Sequence, residues 1–327
     1  MHTSLDLNTP EAVIAAVPYL IGYHPQAPNL VILGIRDGKV TVSGNLDLEP
    51  GMAALPIPAG FVDASLADTL LLIGFGPPEL TEAIVTGVAQ LMELLDVDVA
   101  LALIVHDGRC FGLRGETPPE GVAVPPPDTA MTDDMPVFAD RDAVDALFAP
   151  ARGPAYDTAL AAIDTFRSTV DAISHPADHS AFVTASLELL HQVTTDPQTL
   201  DTDQTARLTV ALTFGEVRDA AMAAVDDDPA GATEDIWRHL VSHAPPELRT
   251  APAVLAAYSA WRGGAGHIAA AALRVIEDQS PQDPTAQQLR RLIDLAAHPD
   301  TVAAYRPGQA LTRTSTPPPH SDSQKGR

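Results

Sequence analysis

Cysteine is almost missing from this sequence of 327 residues, in which Cys110 is the single example. A lone cysteine excludes an intramolecular disulfide and a zinc site built from several thiolates. Long apolar runs are missing as well, since no stretch reaches the roughly 18–20 residues that a membrane-spanning helix needs. The first residues, Met1–Asp6, have neither the basic nor the apolar region of a signal peptide. We therefore expect a soluble protein of the cytoplasm.

Basic side chains are also scarce, since 19 Lys and Arg stand against 43 Asp and Glu, for a formal net charge of −24. Such an acidic protein repels phosphate backbones and anionic membranes, so we expect neither nucleic acid nor membrane as a partner of the folded part. The simplest reading of the charge is colloidal solubility. A cationic partner and a salt-tolerant cytoplasm are the alternatives.

The first third of the chain has the pattern of a mixed β-sheet. Dense apolar runs predict strands, and Asp37-Gly38 and Asp107-Gly108 between such runs predict two hairpins. A helix predicted at 79–95 joins two strands buried on both faces, which makes a βαβ unit with parallel strands. A first helix is predicted at 11–20, with Pro18 expected to kink it or end it early. The predicted strands are 29–36, 39–47, 69–75, 97–105 and 109–114.

The rest of the chain predicts helices. A proline-rich segment at 115–137 is typical of a linker or of an extended strand that covers the sheet domain. The helices are expected at 140–148, 154–173, 179–194, 203–224, 231–243, 251–262, 266–278 and 285–297. The last three include a helical hairpin in which Ala260, Ala272, Ile276 and Pro284 occupy tetratricopeptide-like positions, although an unrelated bundle explains the pattern equally well.

The expected fold class is α+β or α/β. A mixed-sheet domain with a βαβ unit and hairpins covers residues 1–138. An all-α domain ending in the tetratricopeptide-like hairpin covers 139–305, and a disordered tail covers 306–327.

Four parts of the sequence together resemble a known family. They are Pro18–Pro25 running into Leu30–Gly34, then Leu71–Pro78, Val217–Asp219, and the segment from Trp237 through Ala244–Pro246 to Trp261. In this order they resemble an actinobacterial family, domain of unknown function 4192, over about residues 5–297. The resemblance implies the domain order and, because the family has no established activity, it implies no catalytic residue. The family usually carries two arginines near Val241–His243, and this chain does not.

The candidate binding residues are Tyr23, His24, Phe75, Gly76 and His106. Tyr23 and His24 lie in a loop before the first strand, where they can offer a hydroxyl and a titratable base. Phe75 and Gly76 lie where a strand meets a helix N-terminus, which attracts anions, although the dinucleotide fingerprint is incomplete. His106 ends a predicted parallel strand, at the edge where α/β sheets bind ligands.

Each candidate also has a structural explanation. The loop Gly22–Pro25 serves equally as a shaped turn, Gly74–Pro78 as a tight turn, and Asp107-Gly108 as a hairpin turn. Our hypothesis is that Tyr23 and His24 border a pocket shared with the loop Gly74–Pro78.

Metal and cofactor signals are weak. The pairs His239/His243 and His175/His179 are spaced for a shared metal, but neither has an obvious third ligand, and we expect no metal and no cofactor. The leading hypothesis is a non-catalytic ligand-binding or adaptor protein with an unknown protein or small-molecule partner. The alternative is a small-molecule enzyme whose site lies at the strand ends. Convergence of His24, Phe75 and His106 on one pocket would favour the enzyme.

Overall fold

The protein is described here by a computed structural model. It describes residues 9–49, 57–63, 66–114, 117, 120–124, 137–228, 231–277, 279–295, 297 and 299. Most of the segment 115–136 and the whole of the tail predicted at 306–327 lie outside these residues. Among the described helices, none combines the length and the apolar character required to cross a bilayer.

A six-stranded mixed sheet occupies the first third of the chain, as the sequence predicts. Its spatial order is β2-β1-β3-β4-β5-β6, with β3 and β4 parallel and the other neighbours antiparallel. The two predicted hairpin turns are present, because Asp37 and Gly38 in one and Asp107 and Gly108 in the other adopt positive φ. The strands are β1 Asn29–Arg36, β2 Lys39–Asp47, β3 Thr69–Phe75, β4 Asp98–His106, β5 Arg109–Arg114 and β6 Val122–Ala123.

Two helices belong to the sheet region. Helix α1 covers Pro10–Ile21, and α2, which covers Pro78–Leu94, forms the crossover between β3 and β4. Thr9 caps the start of α1 by accepting the amide of Ala12. Of the two effects expected of Pro18, a kink or an early end, the early end was wrong, since the helix runs to Ile21 and then stops at Gly22, whose φ is 85°.

The two faces of the sheet bury different cores. Leu30, Ile32 and Leu72 point to the face covered by α2. The alternate residues Val31 and Leu33 point the other way, into a larger core that includes α1 and many helical residues of the second half. Sheet and helices thus share one hydrophobic core across the boundary predicted between residues 138 and 139.

All regular structure in the described part after residue 140 is helical, as the periodicity predicts. Helices α3 to α11 are Arg141–Asp145, Pro154–Asp171, Pro176–Thr195, Thr202–Ala211, Gly215–Asp226, Glu234–His243, Thr250–Arg262, Gly266–Glu277 and Pro284–Asp294. The single helix expected at 203–224 was wrong, because the chain breaks between Ala211 and Gly215 into α6 and α7. Phe214, in this break, packs its ring against His179 and Phe182 of α5 at 5.2 and 5.0 Å.

Helix α9 is the centre of the helical half. Ten of its residues are buried, and α7, α8, α10 and α11 all contact it. The predicted hairpin of α9 and α10 is therefore present, with Gly263-Gly264 as its turn. Neighbours on several sides of α9 are typical of a bundle rather than of a solenoid, in which each repeat contacts only its neighbours along one axis.

Candidate functional site

A cleft of about 620 Å³ lies between the edge strand β2 and the helical half. One wall is formed by the end of α1 and by β2 from Thr41 to Leu46. The other wall is formed by α3, by the turn between α9 and α10, and by the facing sides of α10 and α11. The residues that line the cleft therefore come from both parts of the chain.

The loop Gly22–Pro25 reaches this cleft through Tyr23. The amide of Phe138 donates to the carbonyl of Gly22 at 2.9 Å, and the amide of His24 donates to the carbonyl of Phe138 at 3.1 Å. This short parallel bridge ties the loop to the residues that lead into α3. Since α3 begins with Arg141, the bridge also fixes that side chain beside Tyr23.

The Tyr23 hydroxyl is the centre of a polar network at one end of the cleft. Asn45 Nδ2 donates to the hydroxyl oxygen at 3.0 Å, and Arg141 Nη2 donates to it at 3.3 Å. The Arg141 guanidinium lies 5.9 Å from the centre of the Tyr23 ring, in the range of a cation–π contact, and forms an ion pair with Asp47. Asn45 Oδ1 is buried and has no hydrogen-bond partner among the described residues.

His267 faces Tyr23 from the first turn of α10. Its ring lies 6.4 Å from that of Tyr23 and 6.2 Å from that of Phe138. The ring also packs so tightly on the backbone of Gly22 that a Cβ at that position would lie 2.3 Å from it. Burial lowers the pKa of His267 to about 4, so the imidazole is neutral at pH 7.

Arginines dominate the charge of the cleft. The described lining contains four arginine side chains, Arg141, Arg262, Arg274 and Arg290, and one carboxylate, Asp294. Each of these arginines pairs with a carboxylate outside the lining, so the cleft is rich in guanidinium groups without carrying a net positive charge. A cluster of guanidinium groups presents paired N–H donors that match carboxylate and phosphate oxygens.

Each of these arginines is held by a carboxylate outside the lining. Arg274 donates from Nε to Asp145 at 3.0 Å, Arg290 pairs with Glu277, and Arg262 lies 3.8 Å from Asp226. These pairs orient the side chains, but they use only part of the five N–H donors of each guanidinium. Each guanidinium therefore keeps N–H donors for a further acceptor.

The candidate residues predicted from sequence do not all lie together. Tyr23 lines the cleft, whereas His24, Phe75, Gly76 and His106 are not among its lining residues. Gly76 donates its amide to the carbonyl of Val105 at 3.0 Å, and His106 stacks on Phe111 at 4.6 Å. These groups lie at the ends of β3 and β4, and β4 is three strand spacings, roughly 14 Å, from β2.

The histidine pairs have structural contacts. The rings of His239 and His243 stack at 4.0 Å, and Thr205 Oγ1 lies 3.1 Å from His239 Nε2. Burial and the neighbouring His243 lower the pKa of His239 to about 4. His175 accepts the amide of Ala177 and caps α5. Within the described ranges, no group of three or more His, Cys, Asp or Glu is arranged to hold a metal ion.

Sequence reasoning missed most of the cleft. Asn45, Arg141, His267, Arg274 and Arg290 come from four elements that are far apart in the chain. No motif links them, and each arginine alone is typical of a solvated helix face. The one available signal was the local motif around Tyr23, which identified one wall of the cleft.

Comparison with known proteins gives one positive result. No curated protein and no solved structure matches the chain. The model of the family described as "Domain of unknown function (DUF4192)" matches residues 10–300, which covers the sheet, the cleft and nearly all of the helical half. The resemblance seen in the four sequence segments is thus confirmed, and the chain belongs to the DUF4192 family.

Proposed function

We propose that this protein binds an anionic ligand, bearing carboxylate or phosphate groups, in the cleft between β2 and the helical half, and that it does so without chemical conversion. The observation that carries the proposal is the cluster of four arginines around this cleft. Their guanidinium groups are held in place by carboxylates and retain free donors. A cytoplasmic location is part of the proposal, and cell fractionation tests it.

The chemistry of the lining supports binding over catalysis. Tyr23 and Asn45 already share a hydrogen bond, and His267 has a pKa of about 4, which makes it a weak base at pH 7. Ser43 Oγ donates to the backbone carbonyl of Leu20, and a carbonyl oxygen does not activate a hydroxyl as a nucleophile. The enzyme alternative at the strand ends has less support, since His106 and Gly76 are not among the residues that line the cleft.

The chain offers a matched pair of variants for the test. Arg290 lines the cleft, whereas its neighbour Arg291 is exposed and does not line it. Arg290→Gln and Arg291→Gln change the net charge by the same amount on the same helix. Isothermal titration with inorganic phosphate, succinate, citrate and a glutamate-rich peptide measures binding to each protein.

The expected result is saturable binding of at least one of these anions, weakened about tenfold or more by Arg290→Gln and unchanged by Arg291→Gln. Arg274→Gln should behave like Arg290→Gln, because both guanidinium groups face the cleft. Binding should also weaken as salt rises. If none of the anions binds, or if the two neighbouring variants have equal effects, the cleft is not an anion site.

A further inference from the structure

Within the described ranges, strand β2 lies at the edge of the sheet and lacks the usual protection of an edge strand. Among the described strands it pairs with β1 alone, so its other side presents unpaired backbone groups. Natural edge strands are normally blocked by charged side chains, proline or a covering element. In β2 the charged residues are Lys39 and Asp47 at its two ends, and the seven residues Val40–Leu46 between them contain neither charge nor proline.

The cleft runs along this edge. Six consecutive residues, from Thr41 to Leu46, line it. Successive side chains of a strand point to opposite faces of the sheet, so a cavity under one face would be lined by alternate residues only. Contact with all six places the cleft beside the backbone of β2. Six residues of strand extend over roughly 20 Å, enough for a short extended peptide.

The wall that faces this edge carries the arginines. Arg274 and Arg290 project from α10 and α11, and Arg141 is held near the end of β2 by Asp47. Asn45 lies on the same strand and lines the cleft, and its buried Oδ1 has no hydrogen-bond partner in the described part of the chain. A ligand that suits these groups offers backbone N–H and C=O groups to the strand edge and carboxylates to the arginines.

We propose that the ligand is an extended acidic peptide segment of a partner protein, which adds as a further strand to the free edge of β2. This inference rests on the proposed anion-binding function. In this mode of recognition, main-chain hydrogen bonds to the edge give affinity, and side-chain contacts give specificity. Here the carboxylates of the peptide contact the arginines of α10, α11 and α3. A small anion can pair with the arginines, but it cannot form main-chain hydrogen bonds with the edge of β2.

The test uses four synthetic hexapeptides with blocked ends. The parent has the sequence Glu-Thr-Glu-Val-Glu-Thr, and a second peptide replaces each glutamate with lysine. Two further peptides carry N-methyl groups on the parent, one at the odd and one at the even positions. In a strand that adds to an edge, one set of amides faces the edge and the other faces away. The two methylated peptides have the same charge and the same number of methyl groups.

The expected result is that the parent binds the full-length protein and the lysine peptide does not. One methylated peptide should bind at least about tenfold more weakly than the parent, and the other should bind within about threefold of it. Arg290→Gln should weaken binding of the parent peptide, and Arg291→Gln should leave its affinity unchanged. Equal affinities of the two methylated peptides, whether high or low, would overturn strand addition.

Other outcomes separate the two proposals. If succinate or phosphate binds more tightly than the parent peptide, with the same response to Arg290→Gln, the anion site stands and the peptide inference is overturned. If the lysine peptide binds as well as the parent, the acidic character of the partner is overturned. If no anionic probe binds at all, the proposed function itself fails, and the peptide inference fails with it.

Discussion

The contact between Gly22 and His267 joins the sheet half to the helical half, and its energy can be measured. Gly22 ends α1 with φ at 85°, and its amide donates to the carbonyl of Pro18 at 2.8 Å. Gly22→Ala introduces two separate costs. An L-residue in the left-handed region costs about 1–2 kcal/mol. The new Cβ would also lie 2.3 Å from the ring of His267, and such overpacking typically costs about 1–3 kcal/mol.

Gly264 provides a matched control for the first cost. Its φ is 79°, close to that of Gly22, but a Cβ there would meet no atom within 4 Å. Gly264→Ala should therefore lower the free energy of unfolding by about 1–2 kcal/mol, from the backbone alone. Gly22→Ala should lower it by about 2–5 kcal/mol, and the difference between the two variants measures the clash with His267.

A double-mutant cycle completes the assay. Urea unfolding at pH 7.5, followed by circular dichroism, gives the free energy of unfolding of Gly22→Ala, His267→Ala and the double variant. Removing the ring should reduce the cost of Gly22→Ala to that of Gly264→Ala, which corresponds to a coupling energy of about 1–3 kcal/mol. Equal costs for the two glycine variants, or a coupling energy near zero, would refute the contact.

Three further predictions follow from the same region and from the core. The pKa of His267 is lowered to about 4, so protons bind more strongly to the unfolded chain, and stability falls as pH drops from about 6.5 towards 4. His267→Gln should reduce the loss of unfolding free energy between pH 7.5 and 4.5 by about 2–3 kcal/mol. An unchanged pH profile of stability would contradict this. Tyr23→Phe removes the acceptor for Asn45 and Arg141 and should cost about 1–3 kcal/mol in thermal or urea unfolding, whereas the alanine variant of the partly exposed His24 should cost under about 1 kcal/mol. A cost of His24→Ala as large as that of Tyr23→Phe would show that His24 is a structural residue as well. The Cys110 thiol is fully buried, with a pKa raised by burial, so a thiol reagent at pH 7 should label it only after unfolding, and rapid labelling of the native protein would be inconsistent with this core position.

Local signals predicted the elements well where local chemistry decides them. The bounds of β1, β2, β3 and β5 match the prediction, because these strands are flanked by local turn signals such as the Asp-Gly turns and the Gly-Pro sequence after Phe75. Predictions were wrong where a distant contact decides. The break at Phe214 separates α6 from α7, and its aromatic neighbours lie on α5, more than thirty residues away.

The same division applies to the cleft. The sequence around Gly22–Pro25 identified Tyr23, because a tyrosine in a tight loop is unusual for a turn. It could not identify Arg141, His267 or Arg290, whose meeting with Tyr23 depends on how the helical half packs on the sheet. Nor could it show that the halves share a core, since hydrophobic periodicity tells which face is buried and not what covers it.

The sequence by itself determined the family, the mixed sheet followed by helices, the hairpin turns and the strong acidity. These depend on composition and on residues within a few positions of one another. Only the tertiary structure decided where these arginines meet. Arginines from α3, α9, α10 and α11 face one edge strand because the apolar faces of those helices are buried in the common core, which leaves their guanidinium groups at the cleft between the helices and β2.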